Sequence, residues 1–205
     1  KESTMKFYLA SRNKGKRKEL VEILAPLGVE LEPLPEDFPE IEENGTTFEE
    51  NAKSKARAVC QALGAPAIAD DSGLEVEALN GEPGVYSARW AGDVTDHERN
   101  QLLLERMKDI PKNERTAKFV CVAACVFPDG KELAVRGECR GTILNEEHGE
   151  GGFGYDPIFC VPEYGSTFAE LDSGVKNAIS HRARAFTALG SALRAYLEMM
   201  TGEEK

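Results

Sequence analysis

The stretch from Arg115 to Leu144, RTAKFVCVAACVFPDGKELAVRGECRGTIL, constrains the fold of this chain more than any other. Two largely apolar runs flank the turn sequence Pro128-Asp129-Gly130 and predict a long β-hairpin. Around it, strand and helix patterns alternate. Residues 5–10 predict a strand. Residues 14–27 predict a helix, because Leu20, Ile23, Leu24 and Leu27 fall on one face and Gly28 follows as a stop. Residues 29–34 return as a strand, and PEDFPEIEENG is an acidic, proline-containing loop. In TTFEENAKSKARAVCQALG, Thr46 or Thr47 serves as N-cap with Glu49 or Glu50 three residues on. Phe48, Ala52, Ala56, Val59 and Leu63 form the apolar stripe of that helix. Strands follow around residues 67–79, broken at Ser72-Gly73, then the turn-rich NGEPGVYSARWAGD and a helix over 95–108. A glycine loop at 149–157 precedes a short strand at 158–161. A last helix starts near Ser180, with Ala183, Phe186, Leu189, Leu193 and Leu197 facing inward. Interleaved strands and helices with one antiparallel hairpin predict an α/β fold with a mixed sheet.

A chain of 205 residues is long enough for a substantial core and predicts one large domain, or one domain with a lobe, spanning residues 5–200. Its net charge of −11 disfavours non-specific attraction to nucleic acid or anionic membranes. An anionic substrate would need a local basic pocket. No stretch is apolar enough to span a bilayer. Lys1 to Thr4 read as residues upstream of a natural start at Met5. The five cysteines show no C-x-x-C spacing. Cys121 and Cys125 would lie about 13 Å apart along one strand, too far to bridge, so reduced cysteines in a cytoplasmic protein are expected.

Five constellations can carry chemistry. In ASRNKGKRKEL a strand ends, polar residues turn the chain and a basic helix begins, which aims backbone N–H groups at an anion; Ser11, Asn13 and Lys16 would add donors. It is not a Walker A loop. The acidic loop offers Glu40, Glu42 and Glu43, with Lys53 and Lys55 on the next helix; carboxylates of this kind suit Mg²⁺. In AIADDSGLEVEAL, Asp70 and Asp71 are adjacent, and strand geometry points them to opposite faces, so they should not share one role. Asp-Ser-Gly is also ordinary turn chemistry. If Asp71 shares a cleft with one of the glutamates, the pair can hold a metal, activate water, or both. In GEGGFGYDPIF, Phe153 and Tyr155 offer ring faces to a base and Asp156 an acceptor. In VKNAISHRARAF, His181 and Arg182 occupy a first helical turn, where basic residues oppose the dipole and so point to a ligand.

Taken together these segments resemble the inosine triphosphate pyrophosphatase family, the non-standard purine nucleoside triphosphate (dITP/XTP) pyrophosphatases. The motifs are Ser11-Arg12-Asn13-Lys14-Gly15-Lys16, Thr-Phe-x-Glu-Asn-Ala at 47–52, Ala-Asp-Asp-Ser-Gly-Leu at 69–74 and Pro-Gly-Val-Tyr-Ser-Ala-Arg at 83–89. Gly-Gly-Phe-Gly-Tyr-Asp-Pro at 151–157 and Lys-Asn-Ala-Ile-Ser-His-Arg at 176–182 complete the set. Six motifs in order, covering residues 5 to about 197, make the resemblance specific. It implies a long mixed central sheet flanked by helices, with two lobes and a deep cleft between them. It also implies a homodimer using Mg²⁺ that hydrolyses ITP, dITP and XTP to the monophosphate and pyrophosphate. By the same resemblance Asp71 is the general base and a metal ligand, Glu42 the second metal carboxylate with Glu40 and Glu43 as rivals, and Lys55 a phosphate lysine. Ser11, Arg12, Asn13, Lys14, Gly15 and Lys16 bind phosphate, and Ser72 contacts substrate. Phe153, Gly154, Tyr155, Asp156, Lys176, His181 and Arg182 form the nucleoside pocket. Asp70 supports the turn or an outer metal shell. Two rival functions share parts of this logic. A septum-associated nucleotide pyrophosphatase should lack the FGYD and SHR segments, and a non-catalytic nucleotide sensor should have lost the acids at 42 or 71.

Overall fold

A computed structural model describes residues 5–202, so the expectation for Lys1 to Thr4 falls outside the described residues. Among the described residues seven strands form one mixed sheet, flanked in sequence by five α-helices. The strands are β1 (Met5–Leu9), β2 (Val29–Glu32), β3 (Ala67–Val76), β4 (Thr116–Val126), β5 (Glu132–Ile143), β6 (Phe159–Val161) and β7 (Ser166–Thr167), in the order β2-β1-β3-β4-β5-β6-β7. β1 runs parallel to β2 and β3, with Leu9 opposite Ile68, while β6 is antiparallel to β5 and β7. The hairpin turns where Pro128-Asp129-Gly130 predicts: the Gly130 N–H returns to the Phe127 carbonyl, and Gly130 has φ +91°.

The helices are α1 (Lys14–Leu24), α2 (Phe48–Leu63), α3 (Asp96–Arg106), α4 (Ser173–Ile179) and α5 (His181–Thr201). α1 is shorter than its apolar pattern, because Pro26 has no N–H to continue the ladder; residues 25–27 tighten into a 3₁₀ turn and Gly28 closes it at φ +75°. Thr47 caps α2 by accepting from Glu50 N at 3.1 Å, and Thr95 forms a complete capping box with Glu98 on α3.

One sequence expectation is corrected. Ser72-Gly73 does not break the strand: β3 runs unbroken from Ala67 to Val76, largely buried, and Gly73 is not among the glycines with positive φ. Leu74 N donates to Ser87 Oγ at 2.8 Å, so sheet formation and burial override the local turn preference. Ser180 also does more than open the last helix, because it is the C-cap of α4, a seven-residue helix with no visible periodicity in the sequence.

The chain divides into two compact units. Among the described residues the first comprises 5–71, 121–137 and 182–202, and the second 72–120 and 138–181. In the first, Leu20 and Leu24 of α1, Ile68 of β3 and Phe186, Leu189 and Leu193 of α5 share one core. In the second, Leu103 of α3 joins Phe119, Phe159 and Phe168, with the Phe119 and Phe168 rings stacked at 5.5 Å. Each fully buried side chain of this size contributes roughly 1.5–3 kcal/mol. All five cysteines are free thiols. Among the described residues no helix is long and apolar enough to cross a membrane.

Candidate active site

In the first unit, β1 delivers the chain to Ser11 and the Ile68 end of β3 delivers it to Asp70 and Asp71. Asn13 caps α1, its Oδ1 accepting from Lys16 N at 3.0 Å, while its own N–H donates to Ser11 Oγ at 3.2 Å. This cap turns Lys16 back towards β3, where its Nζ lies 3.0 Å from Asp70 Oδ1. Arg182, at the start of α5, pairs through Nη1 with Glu19 at 2.7 Å and through Nε with Asp70 at 3.4 Å. The Cys121 thiol reaches Asp70 Oδ2 at 3.6 Å. Burial alone would push the Asp70 carboxyl up, but Lys16, Arg182 and Lys55 pull it far below the usual carboxylate range. Asp70 is therefore a fixed negative charge inside a cluster of cations, not the turn residue its Asp-Ser-Gly context predicts.

Asp71 is its opposite. It is 5% exposed, and Asn51 Nδ2 of α2 donates to its Oδ2 at 3.0 Å. Burial raises its carboxyl to about 6, against the pull of Lys55 and Asn51, and Glu43 and Asp70 add repulsion. One turn after Asn51 on α2, Lys55 is buried with its Nζ 2.5 Å from Glu43 Oε1. Burial would depress the ammonium, but Asp70, Glu43 and Asp71 outweigh it and hold Lys55 charged.

A cavity of about 500 Å³ is lined by Ser11, Asn13, Lys16, Glu40, Glu43 and Lys55 together with Arg12. The Arg12 guanidinium is spent on the acidic loop, donating to the Phe38 and Pro35 carbonyls, the latter at 3.1 Å. Lys14 and Gly15 open α1 but do not line this cavity. Glu42 turns elsewhere: it accepts from Asn44 Nδ2 at 2.9 Å and lines a separate cavity with Glu49, Lys53 and Arg57. Of the three candidate glutamates, Glu43 is the one beside Lys55 and Asp71. Among the described residues no three His, Cys, Asp or Glu side chains converge as a closed metal cage. Two carboxylates beside a polar cavity nevertheless fit a hard, hydrated cation completed by phosphate oxygens.

In the second unit, the glycine loop is built around Asp156, whose Oδ2 accepts from Phe153 N at 3.0 Å and from Lys176 Nζ of α4 at 2.7 Å. Gly152 has φ +67°, and a Cβ there would lie 2.1 Å from Asp156 Oδ2, so only glycine allows this closure. Lys176 Nζ sits 5.0 Å from the centroid of the half-buried Phe153 ring. Tyr155 does not present its ring as predicted; it is buried in the core, its hydroxyl donating to the Ser87 carbonyl at 2.7 Å. His181 is buried and stacked on Phe119 at 4.7 Å. Ser72 is half-buried within β3. In the second unit Phe153, Asp156 and Lys176 are grouped together, and in the first Arg182 is grouped with Asp70 and Lys16.

The model of the Ham1 family matches residues 7–192. The chain belongs to the Ham1 family. This agrees with the resemblance carried by the six motifs. The chain is 53% identical over 184 residues to the dITP/XTP pyrophosphatase of Desulforamulus reducens, covering 88% of this chain and 92% of that one. It is also 53% identical over 191 residues to the dITP/XTP pyrophosphatase of Thermus thermophilus, covering 93% and 92%. The solved structure of a HAM1 protein from Coxiella burnetii is similar at TM-score 0.84 and 45% identity, covering 93% of this chain and 99% of that one. A Mycobacterium abscessus nucleoside-triphosphatase / dITP/XTP pyrophosphatase aligns at TM-score 0.71 and 46% identity, covering 90% and 98%. Within this Ham1-family site, sequence reasoning gave no role to Asn51, although it lies in the 47–52 motif, and missed Glu19. Asn51 had a signal: it and Lys55 are polar residues one turn apart beside the apolar stripe of α2. Glu19 had none, because its partner lies 163 residues away.

Proposed function

We propose that the chain hydrolyses non-standard purine nucleoside triphosphates (ITP, dITP and XTP) to the nucleoside monophosphate and pyrophosphate, clearing them from the nucleotide pool. The observation that carries this reading is the contrast between two neighbouring carboxylates. Asp70 is locked as an anion by Lys16 and Arg182, and Asp71 is raised to about 6 beside Lys55 and Glu43. Asp71 is poised to take a proton near neutral pH, as a general base needs. It would deprotonate a water attacking the α-phosphorus; the new P–O bond forms as the bond to the α-β bridging oxygen breaks, and pyrophosphate leaves with that electron pair. Ser11, Asn13, Lys16 and Lys55 would hold the phosphate chain in line and offset its charge. Asp71 and Glu43, in place of Glu42, would hold Mg²⁺, which when bound would stabilise charge on the departing pyrophosphate. The purine is assigned to Phe153, Lys176 and His181, with Lys176 fixed by Asp156. We also assign the chain a homodimeric, cytoplasmic existence, in line with its free thiols.

The test is product analysis with ITP and Mg²⁺ in ¹⁸O-labelled water. Pyrophosphate and labelled inosine monophosphate are expected. Inorganic phosphate with a diphosphate would overturn the reading.

A further inference from the structure

Helix α3 carries no motif residue, yet two of its side chains grip the glycine loop. Asp96 and Asn100 lie one turn apart on the same helix face. Asp96 Oδ2 accepts from Gly154 N at 2.9 Å, and Asn100 Nδ2 donates to the Gly154 carbonyl at 3.0 Å. Both backbone polar groups of one residue are thereby fastened to a helix. Asn100 is 1% exposed, and its Nδ2 also donates to Glu147 Oε1 at 3.0 Å. Both of its partners are pure acceptors, so the position demands a donor. The helix is itself anchored: Leu103 is in the core, and Arg99 Nε donates to the Trp90 carbonyl at 2.9 Å.

The residue so held follows Phe153 directly and adopts φ +62°, in a segment with glycines at 149, 151, 152 and 154. Such a segment has wide conformational freedom, and ordering it on binding would cost affinity. Asp156 fixes the N–H of Phe153, and α3 fixes the peptide groups on its other side.

We propose that Asp96 and Asn100 are positioning residues for purine recognition, which hold the Phe153–Tyr155 segment in its binding geometry before the nucleotide arrives. This rests on the reading of Phe153 as a purine contact. The two residues would act through Gly154 and not on the reacting phosphates, so their loss should appear in binding of the base and in KM.

Steady-state kinetics with ITP, and calorimetric titration with inosine monophosphate and with pyrophosphate, test this on the full chain in Mg²⁺. Asn100→Asp puts an acceptor where a donor is needed. It is expected to raise KM and the Kd for inosine monophosphate about tenfold, with kcat within about threefold and the pyrophosphate Kd little changed. Asp96→Ala should do the same, and Asp96→Asn, which keeps an acceptor for Gly154 N, should recover most of the loss. If Asn100→Asp does not fold, the Asp96 pair carries the test. Inosine monophosphate binding at wild-type strength in folded Asn100→Asp or Asp96→Ala would overturn the proposal. So would an equal loss of pyrophosphate affinity, or a fall in kcat at constant KM. Phe153→Ala separates the two readings. If it binds inosine monophosphate normally, the purine assignment falls and this proposal with it. If it alone weakens binding, only the positioning role falls.

Discussion

Replacing Asp71 by Asn should stabilise the protein while disabling it. The carboxyl is 5% exposed and its pKa is about 6 in the folded chain, against an ordinary value near 4. The folded state therefore holds this proton more tightly than the unfolded chain does. That contribution is fully present below about pH 4 and is lost as pH rises through about 6, leaving an ionised, buried carboxylate at pH 7. A rise of about 2 pH units at roughly 1.4 kcal/mol each makes the penalty about 3 kcal/mol. Asn abolishes the charge and keeps an acceptor for Asn51, which now donates to Asp71 at 3.0 Å. For a chain of this size, about 3 kcal/mol corresponds to a melting temperature higher by roughly 6–12 °C at pH 7. The assay is thermal denaturation of both proteins without divalent metal, from pH 4 to pH 8. The gap should nearly close at pH 4 and widen towards pH 7. Turnover of ITP should drop by at least ~10²-fold, the usual scale for losing a general base. An Asp71→Asn protein that melts at or below wild type at pH 7, or a gap independent of pH, would refute the electrostatic argument. Normal turnover would refute the assignment of the base.

Asp70→Asn should act in the opposite sense, because it removes the counter-ion shared by the half-buried Lys16 and the buried Arg182, which keeps Glu19. Breaking such a cluster costs about 3–5 kcal/mol, so denaturant titration at pH 7 should show a lowered midpoint, and an unchanged midpoint would contradict the pairing. Glu43→Gln should raise the Mg²⁺ concentration needed for half-maximal activity at least ~10-fold, whereas Glu42→Gln should leave it near wild type; the reverse order would return the metal to Glu42. ITP and XTP should exceed ATP in kcat/KM by roughly 10⁴-fold, since a buried site that donates to a 6-oxo group is left unpaired by adenine's 6-amino group. Equal efficiency on ITP and ATP would sink that reasoning.

The parts of the fold that were legible are those whose determinants are local. Thr47 and Thr95 cap α2 and α3 within three residues of their partners, and Pro128-Asp129-Gly130 turns the β4–β5 hairpin by its own chemistry. Where a tertiary determinant competes, local reading fails. Asp-Ser-Gly is a turn sequence in isolation, but β3 continues through it because burial and Ser87 satisfy the strand. The site divides the same way. Asp71 and Lys55 stand out through the family resemblance that the motifs carry. Glu43 could not be told from Glu42, since an irregular loop has no periodicity to decide which carboxylate turns towards Lys55.

Asp70 and Asp71 show why adjacency in sequence says little about charge. Both are buried, and for both burial is the largest influence and pushes the carboxyl up. What separates them is the number and closeness of cations on each side of the strand: Lys16 and Arg182 both contact Asp70, while no cation pairs directly with Asp71 in the described structure and Lys55 reaches it only at longer range, already bound to Glu43. A cation that competes for Glu43 would loosen the Lys55–Glu43 pair and bring positive charge to Asp71 at the same time. If Asp71 and Glu43 hold Mg²⁺ together, Mg²⁺ should raise the melting temperature of the wild type more than that of Asp71→Asn. Equal shifts would mean that the carboxylate raised by burial is not the one that meets the metal.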